Sequence, residues 1–206
     1  DHEQWKEAVL EEHGRMEDHQ VFEAVPREEV PDGAKILSST WAMKKKANGT
    51  YRARLNARGY EQVDGQHYDE DSKFAPVVSG ATIHIVLIMI IMAGWCAELL
   101  DVKGAFLHGT FEKGRKVYME VPQGFEQFYP WNFVLLLLKT LYGLKQAVRA
   151  FWNKFLKAFQ NMEFAKKKKD FWNYGSLLVQ SFYIGPQSSP IAVSYKNLKL
   201  PTIYPV

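Results

Sequence analysis

A single carboxylate, Asp101, stands in the run Leu-Leu-Asp-Val-Lys-Gly-Ala-Phe-Leu-His-Gly from Leu99 to Gly109. An almost wholly apolar segment precedes it, so Asp101 falls where a buried strand would emerge. An acid there either holds a cation or serves as a turn or cap. A second concentration of chemistry lies upstream. Between Thr50 and Arg58, alternation puts Arg52, Arg54, Asn56 and Arg58 on one face of a strand and Tyr51, Ala53, Leu55 and Ala57 on the other. Arginine forks match phosphate oxygens in pairs, so this face, with Lys44, Lys45 and Lys46, suits a triphosphate or a nucleic-acid backbone. A charged face that keeps a hairpin soluble has the same pattern. Asp69, Glu70 and Asp71 read as a solvated acidic turn rather than a cation loop. The six histidines show no metal-ligand spacing with Cys96, and there is no glycine-rich phosphate loop.

These residues need elements to hold them. Ile36 to Lys46 and Thr50 to Arg58 predict two strands of a hairpin, joined at Ala47, Asn48 and Gly49. Ahead of them, Trp5, Ala8, Val9 and Glu12 have helical spacing, ended by Gly14 and the polar run Glu17 to Gln20; Val21 to Val25 is a short strand stopped by Pro26. Thr82 to Ala93 is apolar on every face except His84, which predicts a helix buried in the core with His84 hydrogen-bonded inside it. Lys116 to Val121 and Phe133 to Leu138 are of strand length. Leu141 to Gln146 turns into a helix from Ala147 to Met162, with Val148, Phe151, Trp152, Phe155, Phe159 and Met162 as its apolar stripe and Arg149, Lys154, Lys157 and Gln160 opposite.

Composition bounds the possibilities. A chain of 206 residues, 47% hydrophobic and 14% aromatic, can bury a core and suits one large domain or two small lobes. The longest uncharged apolar run, Ile85 to Ala97, has 13 residues, fewer than the roughly 18 of a membrane span. No basic, apolar leader opens the chain, and the lone Cys96 forms no internal disulfide, so an intracellular, reducing compartment and no membrane partner are expected. The first residue is Asp1, as expected of a piece of something longer such as a processed polyprotein. Charge is unevenly spread. Gly33 to Tyr60 carries 7 Lys or Arg and no acid, and Lys139 to Val206 carries 11 against Glu163 and Asp170 alone, while residues 1–138 have a net charge of minus 6. Two basic zones flanking an acidic middle fit a polyanion held along a groove.

Five ordered blocks add a family resemblance. Trp41 to Tyr60 with Tyr-Arg-Ala-Arg-Leu-Asn-Ala-Arg-Gly-Tyr, Phe74 to Val78 with Phe-Ala-Pro-Val-Val, and Leu100 to Gly109 with Leu-Asp-Val-Lys-Gly-Ala-Phe-Leu-His-Gly are the first three. Val117 to Phe125 with Val-Tyr-Met-Glu-Val-Pro-Gln-Gly-Phe and Leu141 to Arg149 with Leu-Tyr-Gly-Leu-Lys-Gln-Ala-Val-Arg complete them. Together they resemble the reverse transcriptase of copia-type LTR retrotransposons. The resemblance covers residues 1–165 and fails after Asp170. It implies an α+β fold in which residues 1–165 form the fingers and part of the palm, an antiparallel sheet packed on helices, and residues 166–206 form a divergent tail.

What the resemblance implies for chemistry is nucleotidyl transfer with Mg²⁺, RNA as template, DNA as primer and a deoxynucleotide as substrate. Two such ions sit about 3.5 to 4 Å apart, and their repulsion must be offset by several carboxylate oxygens. Asp101 matches the first carboxylate and the carbonyl of Val102 a further ligand. Phe106 matches the bulky residue beneath the sugar, and Gln146 is placed near the incoming base. Arg52 and Lys46 are the expected triphosphate contacts; Arg54, Arg58, Lys145 and Arg149 are expected on nucleic acid. Val148 stands where the family usually has proline. The family's Asp-Asp turn is missing, since Leu-Leu-Val-Gln-Ser-Phe-Tyr-Ile-Gly-Pro puts Tyr183, Ile184, Gly185 and Pro186 in its place. The expectation is a retrotransposon polyprotein piece, located in the cytoplasm or in a retrotransposon particle, that does not polymerise alone. A non-enzymatic nucleic-acid-binding module and an unstable relic are the alternatives.

Overall fold

The structure is a computed structural model. It describes residues 1–94, 96–99, 102–112, 114–161 and 182–185, and for 96–99, 159–161 and 182–185 the backbone alone. In chain order the helices and strands are α1 (His2–Asp18), β1 (Phe22–Pro26), β2 (Ile36–Leu37), β3 (Ser39–Lys45), β4 (Tyr51–Ala57), α2 (Gly80–Ala93), β5 (Cys96–Leu99), β6 (Val117–Glu120), β7 (Phe133–Leu137), α3 (Ala147–Asn161) and β8 (Phe182–Gly185). This is an α+β arrangement. The chain divides into two compact units, Asp1–Phe74 with Gly104–Lys154, and Ala75–Lys103 with Phe155–Val206.

The first unit holds a four-stranded sheet in the order β1-β7-β6-β2 and the separate β3-β4 hairpin. Strand β7 is central, with Leu137 opposite both Phe22 of β1 and Val117 of β6, each pairing antiparallel. The expected antiparallel sheet is modified at one edge, where β2 joins β6 in parallel with Ile36 opposite Tyr118. Buried Met16, Leu37, Leu55, Met119, Phe125 and Leu135 belong to one core beneath these strands. Burying each such side chain contributes about 1.5–3 kcal/mol.

The segment 36–46, expected as one strand, is two. Ser38 interrupts it because its N–H and hydroxyl both donate to the Glu61 carboxylate, at 2.7 and 2.6 Å, and its carbonyl accepts from Arg58 N–H at 3.0 Å. With its backbone groups engaged there, Ser38 serves neither ladder. Beyond it, β3 pairs with β4 from Ser39 opposite Ala57 to Lys45 opposite Tyr51, and Gly49 takes the positive φ of +82° that the turn requires.

Helix α1 lies on β4 and buries Ala8, Val9, Glu12, His13 and Met16 along one stripe. Gly14 is inside this helix, which runs on to Asp18, so the polar run and not the glycine ends it. Side-on contacts close the outer edge of β4. Helix α1 packs along it, and the Ala57 N–H donates to the Tyr142 carbonyl at 2.8 Å.

In the second unit, α2 starts on Ser79, whose hydroxyl accepts from Thr82 N–H, and stops at Gly94 in the left-handed conformation. The helix forms as expected, but its burial does not. Only Ile90 is buried among its residues, whereas Ile91 and Met92 are 79% and 83% exposed and His84 is exposed as well. An apolar helix is hidden on all sides only where other layers surround it. Among the described residues of this unit, the remaining elements are the end of α3 and a two-stranded ladder. In that ladder β5 pairs antiparallel with β8, Leu99 opposite Phe182 and Cys96 opposite Gly185. Residues 183–185, expected at the family's catalytic turn, are therefore strand, and Gly185 lies at the Cys96 end of it.

Helix α3 begins at Ala147 as expected. Its most buried line passes through Ala147 and Ala158, about 100° around the helix from Val148, which is exposed rather than part of the apolar stripe. Met162 lies outside the described residues.

Candidate nucleic-acid interface

The register of the hairpin decides which cations share a face. Lys44 sits directly opposite Arg52, and Ala42 opposite Arg54, so Lys44, Arg52 and Arg54 project together. Lys45 pairs with Tyr51 on the reverse face, its ammonium donating to the Tyr51 hydroxyl at 2.6 Å, and is thereby separated from the group. Lys46 is exposed in the turn, its N–H closing onto the Thr50 carbonyl at 2.9 Å. Like charges facing across a ladder are unfavourable unless an anion answers them. Among the described residues, none of Lys44, Lys46, Arg52, Arg54 and Arg58 makes an ion pair with an acid. Glu12, the acid nearest in charge terms to Arg52 and Arg54, pairs with Arg15 instead, at 2.5 Å.

Arg54 is held by an aromatic ring. Its guanidinium lies 5.0 Å from the centroid of Tyr142, while its Nε is buried without a hydrogen-bond partner. Tyr142 in turn meets Phe106 edge to face at 5.1 Å, and Phe106 meets Phe151 at 6.4 Å. The Phe106 carbonyl is fixed by the Thr140 hydroxyl at 2.6 Å. Two expected site residues, Arg54 and Phe106, are thus brought together through Tyr142, which sequence reasoning left out. Its position inside the Leu141 to Arg149 block was the available signal.

The turn carrying Tyr142 docks on the end of β4 through two glycines. Gly143 has a φ of +87°, and a side-chain carbon there would fall 2.1 Å from the Ala57 carbonyl oxygen; one on Gly59 would fall 2.0 Å from the Gly143 oxygen. Below them runs an amide network. Gln62 donates through Nε2 to Gln146 Oε1 at 2.9 Å and accepts at Oε1 from Lys145 N–H at 2.8 Å. Gln146 Nε2 donates to the His67 carbonyl at 3.1 Å. Val63 N–H donates to His67 Nδ1 at 3.0 Å, so the other ring nitrogen carries the proton and faces the Lys35 carbonyl at 3.3 Å. Gln146 is consequently buried, with both ends of its amide engaged inside the protein. Lys145 donates to the Tyr68 hydroxyl at 2.9 Å.

Arg149 lies further along, donating to the Phe74 carbonyl at 3.4 Å and lining a hollow of about 30 Å³ with Gln146, His67 and Arg115. The acidic loop beside it is exposed, as expected of a solvated turn, and two of its acids also meet cations. Asp69 pairs with Arg115, which also meets Glu112 at 3.6 Å, and Glu70 pairs with Lys73. Val102 is half-buried, and Asp101 lies outside the described residues. Among the described residues no three His, Cys, Asp or Glu side chains gather as a metal site. Among those residues, too, no helix is long and apolar enough to cross a membrane.

The reverse transcriptase (RNA-dependent DNA polymerase) family matches residues 20–180, and the chain belongs to that family. The chain is 36% identical over 172 residues to the retrovirus-related Pol polyprotein from transposon TNT 1-94 of Nicotiana tabacum, covering 81% of this chain and 12% of that protein. It is 37% identical over 155 residues to the retrovirus-related Pol polyprotein from transposon RE1 of Arabidopsis thaliana, covering 73% and 10%. The copia-type resemblance read from five sequence blocks is borne out. The chain spans about a tenth of the length of these relatives.

Proposed function

We propose that the chain is the fingers and part of the palm of a retrotransposon reverse transcriptase, and that its retained activity is electrostatic binding of nucleic acid. In this reading Lys44, Arg52, Arg54 and Arg58 hold the phosphate backbone of RNA template and DNA primer. Lys46 and Arg52 meet a deoxynucleotide triphosphate, Phe106 lies under its sugar, and Lys145, Gln146 and Arg149 belong to the adjoining groove. The observation that carries it is the cross-strand pair Lys44 and Arg52, two cations held opposite each other with no ion pair to an acid among the described residues. Bound phosphates turn that repulsion into attraction.

Polymerisation is a different matter. The family's metal chemistry needs several carboxylates, and after Glu126 the chain has only Glu163 and Asp170. Asp101 alone does not hold two dications, so the intact chain binds nucleic acid without extending a primer. In a cell it belongs with retrotransposon nucleic acid, in the cytoplasm or in a particle.

Binding of labelled oligonucleotides over a salt series tests this. Affinity falls linearly on a log-log plot as salt rises, and changing Arg52, Arg54 and Arg58 together to Ala flattens the slope by about 2 to 3. Binding indifferent to salt sinks the proposal.

A further inference from the structure

The turn that follows β4 carries two side chains outward on a fixed backbone. Arg58 N–H donates to the Ser38 carbonyl at 3.0 Å, Glu61 N–H to the Arg58 carbonyl at 3.0 Å and Gln62 N–H to the Gly59 carbonyl at 3.1 Å. Gly59 is buried against the Gly143 carbonyl, and Gln62 is buried in the amide network with Gln146 and Lys145. Between these anchors Arg58 is exposed and Tyr60 is 75% exposed. The acid that follows, Glu61, turns inward, its two oxygens accepting from the Ser38 N–H and hydroxyl. Those donors, with the charge of Arg58, hold the Glu61 carboxyl below its ordinary range and tie it to the protein.

An exposed tyrosine alone means little, because scattered apolar surface is ordinary. Here it has company of the right kind. The same end of the hairpin has Arg54 against the Tyr142 ring at 5.0 Å, with Tyr142 bridged to Asn56 and its carbonyl taken by Ala57. Arg58 and Tyr60 thus follow Arg54 and its Tyr142 partner on a backbone held at both ends. Phosphate-binding cations interleaved with rigid aromatic faces are what single-stranded nucleic acid requires, since unpaired bases stack on rings while duplex bases are already stacked. A tyrosine on a pinned turn loses little further freedom on binding, which favours it as a platform.

We propose that Tyr60, presented beside Arg58, is a stacking platform for an unpaired base of single-stranded nucleic acid. The inference rests on the nucleic-acid-binding reading above and adds strand-state selectivity to it. The phosphates approach Arg58 and the neighbouring base lies on the Tyr60 ring. A ring face accepts any base, so selectivity is for unpaired over paired strands and not for sequence.

Fluorescence anisotropy on the full 206-residue chain tests it, with a short labelled oligouridine, an oligothymidine and a blunt duplex of the same length as probes. Tyr60→Ala weakens binding to both single strands roughly tenfold, leaves duplex affinity and the salt slope unchanged, and Tyr60→Phe restores wild-type affinity. Equal single-strand affinity in Tyr60→Ala and wild type overturns the inference, as does an equal loss on duplex, or a Tyr60→Phe variant as weak as Tyr60→Ala. In each of those cases the salt-dependent loss on changing Arg52, Arg54 and Arg58 leaves the parent reading standing. No binding by the unaltered chain removes both. Circular dichroism matched to wild type establishes that Tyr60→Ala is folded, as its exposure predicts.

Discussion

His13 occupies a buried place on α1, stacked on Phe128 at 4.1 Å and hydrogen-bonded through Nε2 to the Tyr129 hydroxyl at 2.8 Å. Burial lowers its pKa below the ordinary 6.5, Glu17 opposing this only in part, and burial raises that of Tyr129 to about 12. The phenol therefore stays protonated and donates to a neutral imidazole. On acidification the unfolded chain takes up the His13 proton first, so stability is lost as pH falls below about 6.5. Glu12 acts with the opposite sign. Burial raises its pKa above 4.5 against the pull of Arg15, so protonation at low pH favours the folded chain. Denaturant midpoints between pH 8 and pH 5 separate the two, because His13→Gln removes the first loss and leaves the second effect in place. Gly143 gives a second residue-scale prediction. Gly33→Ala, at a φ of +78° with open space around it, costs about 1–2 kcal/mol for the backbone alone. Gly143→Ala adds a collision with the Ala57 carbonyl and lowers stability by about 3 kcal/mol or more, measured by thermal melts of both.

Among the elements, the hairpin and α2 divide what sequence can convey from what it cannot. Asn48-Gly49 and the alternating arginines mark β3, β4 and their faces because turn chemistry and side-chain alternation are local. The break at Ser38 is not local, since Glu61 makes it from 23 residues away. The same holds for Gln146, whose partners Gln62 and His67 lie 84 and 79 residues off, so its burial had no signature in its own block. Helix α2 was legible from Thr82 to Ala93, two residues short of its start at Gly80, and illegible in burial, which neighbouring layers decide. Its exposure makes a prediction of its own. Ile90→Ala costs about 2–5 kcal/mol, whereas Ile91→Glu and Met92→Glu each stay within about 0.5 kcal/mol in denaturant melts. The two charged variants also reduce aggregation measured by light scattering, because they interrupt an exposed apolar patch.

For the molecule as a whole, family membership was the most legible property, since five separated blocks specify it together. The cations of the proposed site were legible in the sequence and their supports were not. Tyr142 joins Arg54 to Phe106 only after folding, and Asp101 lies outside the described residues. Primer extension on an RNA template with Mg²⁺ or Mn²⁺ decides the activity of the intact chain. The expected result is no product, and template-dependent extension abolished by Asp101→Ala would show that the carboxylate argument is wrong.

The helix at the start of the chain also has a guarding role. By packing along β4, α1 sheathes a β-ribbon whose lateral hydrogen-bonding groups would otherwise be open to another molecule. Proteolytic loss of that helix would leave the ribbon free to recruit strands from its neighbours, and the fragment would lengthen into fibrils instead of remaining dispersed.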